Sequence, residues 1–532
     1  MIRRFWPPIV LVLALAVLSA ILLLPNPRAK LFDITGEERL APQLRGLVQW
    51  AFRWTRPLPH TADDVAVAYT DLPPFGVNTF LEQEVEPEKR ARSLQMIADA
   101  GFHWIRQSFP WYDIEIHGKD DFEDRRHAPY RSAWDKYDNI VALAEERGLA
   151  IITRLEAPPA WSRHDGAARG AFGPPDNPED YGDYVAAVVS RYKGRIRFYQ
   201  IWNEPNIYPE WGNQPVDPEG YTRLLCLAYA RVKAADPDAV VISGAMAQTS
   251  ELGTWNDAYQ GNNLMDVVFL QRMYDAGARN CFDVMAVNDY MMWSGPTDHR
   301  LTQREINFSR PMWVRDVMVA NGDAAKPIWI TEMNSNAVPE NIEPRFGRVT
   351  PEQQARYAPL AYARIQREWP WAGVTTVWFF KRASDAEIDQ PMYYFRLAEP
   401  DFTPMPVYAS LSTYLNTLEP TLYPGRHQET TWQLTYTGAW DDVPDPDATL
   451  GGVRRAAEPG ASVTLTWEGR RLTLAPGPGE GTLRLTNANG ASREISLRGK
   501  PVTLAWQLLR DRHTLTLTAV EGTVTIDELR VE

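Results

Sequence analysis

Two acidic residues stand where a buried strand should end: Glu204 in "RFYQIWNEPN" and Glu332 in "PIWITEMNSN". Each follows an apolar, aromatic-rich run of the kind that lies inside a sheet. A carboxylate at such a place is costly unless something needs it. Two carboxyls sharing one cavity can divide acid/base and nucleophilic work, because each one's charge acts on the other's proton affinity. Either residue alone could cap a helix or pair with an arginine. Acting together requires a fold that gathers distant strand tips.

The surrounding pattern predicts one. From about Leu72 to Ser412, "PFGVNTF", "HWIRQSF", "LAIITRLE", "IRFYQIW", "AVVISG", "FDVMAVN", "PIWITEM" and "GVTTVWFF" read as strands, each separated from the next by a helical run. Strand-then-helix units in that number predict an α/β chain built as a (β/α)8 TIM barrel, here over residues 72–424. Its chemistry would sit where the strand-to-helix loops converge, with Glu204 closing strand four and Glu332 closing strand seven. Beyond residue 425 the pattern becomes short alternating strands with Gly, Pro and Asn turns, as in "ASVTLTWEG" and "GTLRLTNANG". That predicts an all-β sandwich over 425–532.

The first thirty residues form a third unit. Arg3 and Arg4 precede an uncharged run from Phe5 to Leu24, about the ~20 residues that cross a bilayer. The positive flank predicts a cytoplasmic N-terminus, a single-pass transmembrane anchor and extracytoplasmic domains. A cleaved signal peptide is the rival reading, against which Leu18 disturbs the small-residue cleavage pattern before Ala20. Residues 31–71 then read as a juxtamembrane helix and linker. Leu40, Leu44, Leu47, Val48 and Ala51 fall at helical spacing, with Pro42 limiting the helix to its C-terminal part. This helix would lie on the membrane surface or pack on the first domain.

Composition narrows the chemistry. The formal charge of −13 argues against a nucleic-acid partner, which would need clustered Lys and Arg. Cys226 and Cys281 are the only cysteines, enough for one bridge and too few for a Cys-rich metal site. The eight His are scattered with no HExxH, so neither a metal nor another cofactor is expected. No GxSxG elbow is present, and "GPGEG" at Gly477–Gly481 is a hairpin turn with no helix after it to hold a phosphate.

"WNEPN" and "WITEMN" resemble the acid/base and nucleophile motifs of the clan A glycoside hydrolases, which are retaining enzymes on (β/α)8 barrels. Together with "FGVNTF", "HWIRQSFPW", "FDVMAVNDY" and "VWFFK", in that order, the chain is most similar to the family 39 type, which includes β-xylosidases and α-iduronidases. The resemblance implies a β-linked oligo- or polysaccharide substrate, Glu204 as acid/base and Glu332 as nucleophile. It also implies that Asn203 binds the sugar 2-hydroxyl, Arg106 keeps Glu332 ionised, Tyr290 hydrogen-bonds the nucleophile and Trp378 floors the sugar subsite. Trp161 and Trp211 are candidate platforms for flanking sugars, against plain packing. Glu156 ends strand three without a motif, and would bind a hydroxyl or pair with Arg154 or Arg163. Asn288 stands where the clan usually has His, so that position can hydrogen-bond but carries no charge. The same residues would serve a transglycosylase. A glycan-binding or envelope-scaffolding protein on a degenerate barrel is the non-catalytic alternative, against which both carboxylates are intact. The C-terminal unit resembles jelly-roll modules appended to glycan-active proteins, with carbohydrate binding or a spacer role implied.

Overall fold

The computed structural model describes residues 6–252 and 263–532. Its centre is an eight-stranded parallel sheet: β1 (Phe75–Thr79), β2 (Trp104–Ser108), β3 (Ala150–Leu155), β4 (Phe198–Ile201), β5 (Val240–Ile242), β6 (Met285–Asn288), β7 (Ile328–Met333) and β8 (Ala372–Val377). Neighbours run in the order β5-β4-β3-β2-β1-β8-β7-β6. The last seam closes through single parallel bridges, Ile242 to Val284 and Met246 to Val287, with Ser243 N donating to Val284 O at 3.0 Å. The sheet is therefore a barrel.

Three helices precede it, α1 (Trp6–Leu22), α2 (Pro27–Thr35) and α3 (Leu40–Ala51). Around it lie α4 (Pro87–Asp99), α5 (Asp135–Glu145), α6 (Pro178–Arg191), α7 (Pro218–Ala235), α8 (Asp266–Asp275), α9 (Pro311–Ala320), α10 (Pro351–Glu368) and α11 (Pro406–Thr417). Most open on proline, which has no N–H to leave unpaired in a first turn. Asn177, Asp217 and Thr350 cap α6, α7 and α10 with their side chains, Thr350 in a reciprocal box with Gln353. Each such cap is worth about 1 kcal/mol.

Two-residue periodicity layers the barrel interior. Trp104, Phe198 and Trp329 form an apolar floor, their rings meeting at 5.0–5.6 Å. Two positions further along the same strands, and so on the same face, stand Arg106, Gln200 and Thr331. Gly76 makes this possible, since a Cβ there would come within 2.6 Å of Thr376 and 3.0 Å of Trp104. The floor thus supports a buried polar layer just beneath the strand tips.

The N-terminal segment departs from expectation. Among the described residues no helix is long and apolar enough to cross a membrane, and α1 has 17 residues; Phe5, in the predicted span, lies outside them. α1 packs on its neighbours, Val10 and Ala14 against Ala51, and Ile21 against Leu31 and Leu47. α3 starts at Leu40, ahead of Pro42, because proline is tolerated in a first turn. The connection from α2 to α3 docks on the loop after β6. Gly295 N donates to Gly36 O at 2.7 Å, Thr297 Oγ1 to Phe32 O at 2.6 Å, and Arg300 pairs with Glu37 at 3.2 Å. Gly36 is left-handed (φ 65°), and a Cβ on it would sit 2.7 Å from Gly295 O. The α2–α3 connection is thus fastened to the barrel, with α1 resting on α2 and α3.

Cys226 of α7 and Cys281 before β6 form a disulfide. The C-terminal residues form two antiparallel sheets of seven and three strands. Its long strands are β9 (Ser462–Ala475), β10 (Glu480–Asn487) and β11 (Val502–Gly522). Leu465, Leu483 and Leu517 from the larger sheet share a core with Ile526 of the smaller.

Candidate active site

Glu204 and Glu332 line one pocket of about 250 Å³ at the C-terminal ends of the strands. The chain reaches Glu204 by leaving β4 through left-handed residues, Trp202 (φ 74°) and Glu204 itself (φ 42°). Such conformations are uncommon outside glycine and need support from their surroundings. The support is visible. Glu204 N donates to Ala245 O at 2.9 Å. Asn206 fastens the turn to the continuation of β5, accepting from Ala247 N at 2.9 Å and donating to Ala247 O at 2.9 Å.

Glu332 is clasped by donors. Its Oε1 accepts from Arg106 Nη1 at 2.8 Å and its Oε2 from Tyr290 Oη at 2.6 Å; Arg154 Nη1 lies 3.8 Å away. Arg106, 2% exposed, is fixed from all sides. Its Nε donates to Gln200 at 2.7 Å, Nη1 also to Asn78 Oδ1 at 2.8 Å, and Nη2 to Asn203 Oδ1 at 2.8 Å. That last bond orients Asn203, leaving its Nδ2 as the donor end. Burial lowers the Arg106 pKa, as does the nearby Arg154, while Glu332 raises it.

Glu204 has a different environment. It is half-buried, open toward the pocket, and burial first and the Glu332 charge second push its pKa up to about 8. Asn288 opposes this by donating Nδ2 to Glu204 Oε1 at 2.7 Å. The Asn288 amide is oriented by Thr331, whose Oγ1 donates to Asn288 Oδ1 at 2.9 Å. The residue in the usual histidine position therefore acts directly on the acid/base candidate. Removing its N–H in Asn288→Ala withdraws a bond that favours the charged carboxylate. The alkaline limb of kcat/KM is then expected to move to higher pH by about one pH unit. A pH–rate profile checks this, and a limb that stays or moves down contradicts it.

Other predicted residues are placed differently. Trp378 is buried in an aromatic cluster with Phe80, Phe379 and Phe395, beside Tyr290. Phe346 and Phe395 supply the pocket's apolar wall. Trp211 is not a sugar platform: it is 3% exposed and packed between Trp202 at 5.3 Å and Tyr221 at 6.0 Å. Trp161 lies edge-on to Trp111 at 5.5 Å, its Nε1 donating to Glu115 O at 2.7 Å, and does not line the pocket. Glu156 pairs with Arg154 Nε at 2.6 Å. Arg154, one residue before the end of β3, thereby bridges Glu156 and Glu332, and only its contact with Glu332 was unforeseen.

Several pocket residues lie on loops that carry no motif: Tyr208, Glu210, Gln248, Arg345, Phe346 and Phe395. Glu210 is a third carboxyl, pushed well above the ordinary carboxylate range by burial and by the charge of Glu204. Gln248 accepts from Tyr290 N at 3.1 Å and so orders the loop carrying that tyrosine. Among the described residues no cluster of His, Cys, Asp and Glu has the makings of a metal site.

No family model and no curated protein matches the sequence. The fold matches solved structures of family 39 glycoside hydrolases at low identity. One, from the gut symbiont Bacteroides cellulosilyticus WH2, is 17% identical, with 86% of this chain and 83% of that chain covered and a TM-score of 0.49. A family 39 β-xylosidase from Caulobacter crescentus is 14% identical, over 87% of this chain and 98% of that chain, with a TM-score of 0.47. The family 39 enzyme from Xanthomonas axonopodis pv. citri is 14% identical over the same shares, 87% and 98%, with a TM-score of 0.45. At these identities the likeness is one of fold and assigns no role to any residue of this chain.

Proposed function

We propose that the protein is a retaining glycoside hydrolase acting on a β-linked glycan. The observation that carries this reading is the contrast between the two carboxyls sharing one pocket. Glu332 is held by Arg106 and Tyr290, whereas the proton affinity of Glu204 is raised. Such divergence supports reading Glu332 as the nucleophile and Glu204 as the acid. Protonated Glu204 gives its proton to the glycosidic oxygen as the bond from that oxygen to the anomeric carbon breaks. A Glu332 oxygen attacks the same carbon and forms a glycosyl-enzyme. With the Glu332 charge spent in the ester, Glu204 becomes more acidic and serves as base. It takes a proton from water, the hydroxyl attacks the anomeric carbon, and Glu332 departs as carboxylate. Asn203 Nδ2 donates to the sugar 2-hydroxyl, where bonds strengthen in the transition state.

Proton NMR of the first sugar released tests the stereochemistry. A β-aryl glycoside should yield the β-anomer before mutarotation. Initial release of the α-anomer would mean direct attack by water and would remove Glu332 from the nucleophile role.

We further place the catalytic domain outside the cytoplasm. The reading rests on Arg3 and Arg4 ahead of the apolar N-terminal run and on the Cys226–Cys281 disulfide, a bond that persists in oxidising compartments.

A further inference from the structure

The C-terminal domain carries a second cleft, of about 500 Å³, unconnected with the barrel pocket. It forms where β11 leaves its partner. β11 pairs with β9 as Gly469 to Asp511 and then Arg471 to Trp506, so two steps on β9 face five on β11 and residues 507–510 loop out. Gln507 stitches the base of this excursion, its Nε2 donating to Gly469 O and to Asp511 O. At its lip Trp506 is 65% exposed, an unusual place for an indole that has no packing role there. Leu508 and Leu509 beyond it are 75% and 72% exposed.

The walls are polar and amide-rich, with Asn487, Asn489, Gln507 and His513 lining the cleft beside Trp506 and Trp467. Asn487 Oδ1 is spent on the turn, accepting from Asn489 N and Ala491 N at 3.0 Å, which leaves its Nδ2 as a donor. Trp467 is 1% exposed, and its Nε1–H finds no acceptor among the described residues. The cation at the cleft is already met. Arg512 lies 3.6 Å from Glu419 and 3.4 Å from Glu468.

An open aromatic face, several amide groups and no spare charge suit a ligand with an apolar face and a ring of hydroxyls. A phosphate or nucleic acid would call for unpaired cations. A lipid surface would engage the two leucines but leave the amide-lined cleft unused. We propose that this cleft is a second glycan-binding site, taking a neutral pyranose chain that stacks on Trp506 and hydrogen-bonds the Asn487 side.

The whole chain, tested by co-sedimentation with insoluble cellulose, xylan, chitin and β-1,3-glucan, should be retained by at least one of them. Trp506→Ala should weaken that retention about tenfold, the effect of losing one aromatic contact, with the thermal unfolding midpoint unchanged. The assay is repeated in a Glu332→Gln background, so that it stands whether or not the barrel proves hydrolytic. Any hydrolysis of a short soluble aryl glycoside should be unaffected by Trp506→Ala. No retention on any polymer would overturn the proposal, as would retention indifferent to Trp506. Binding instead to phosphatidylcholine–phosphatidylglycerol vesicles, lost in Leu508→Asp/Leu509→Asp, would also overturn it and make the lip a membrane contact.

Discussion

Glu332→Gln is expected to abolish turnover, lowering kcat by about 10⁴–10⁶-fold, the scale seen when a covalent nucleophile is removed. Glutamine is the informative replacement because of what surrounds this position. Arg106 is buried, and removing the partner of a buried ion pair costs about 3–5 kcal/mol. Alanine would confound lost chemistry with lost folding. Glutamine keeps an oxygen for Arg106 and the volume of the site, while its amide is a poor nucleophile. Steady-state assay together with thermal unfolding checks the claim. Near-normal activity in a folded variant would remove Glu332 from the reaction.

Glu204→Ala should behave differently, and the difference separates the two roles. The first step needs an acid only in proportion to the basicity of the leaving group. Substrates with poor leaving groups should lose about 10²–10⁴-fold in kcat/KM, the usual contribution of a positioned proton donor. Activated aryl glycosides, whose phenolate departs unaided, should lose far less in that step. Their turnover should then be limited by deglycosylation, because the base is also missing, so kcat falls while KM falls with it. A small external anion such as azide should restore turnover by attacking the glycosyl-enzyme in the space left by the carboxylate. Equal losses for both substrate classes would show that Glu204 is not the acid.

The barrel was legible because its signals are local and mutually consistent. Pro218 and Pro351 open helices where helical runs were expected, and every predicted barrel strand is present. Glu204 and Glu332 were legible for the opposite reason, as acids that contradict the apolar strands before them. Partnerships were harder to read. That Asn288 reaches Glu204 depends on the Thr331 hydroxyl that turns its amide, a contact between strands. The tryptophans show the limit of residue type. Trp211 and Trp506 are the same amino acid in aromatic or apolar company, yet one is 3% and the other 65% exposed. Which face is covered follows from long-range packing that no short window contains. Pocket residues such as Arg345, Phe346 and Phe395 sit on loops whose paths are set by those same contacts. In the apolar N-terminal run, hydropathy alone did not reveal that α1 rests on α3, a contact between segments about forty residues apart.

Covalent trapping tests the central claim most directly. The full chain is incubated with a panel of 2-fluoro glycosides bearing activated leaving groups: the fluorine slows both oxocarbenium-like steps, the leaving group restores the first, and the glycosyl-enzyme accumulates. Intact mass followed by peptide mapping should show a single adduct on Glu332 from one sugar, establishing the covalent intermediate and naming the sugar at once. An adduct on another residue, or a folded protein that turns over its glycoside with no adduct from the matching 2-fluoro sugar, would contradict it.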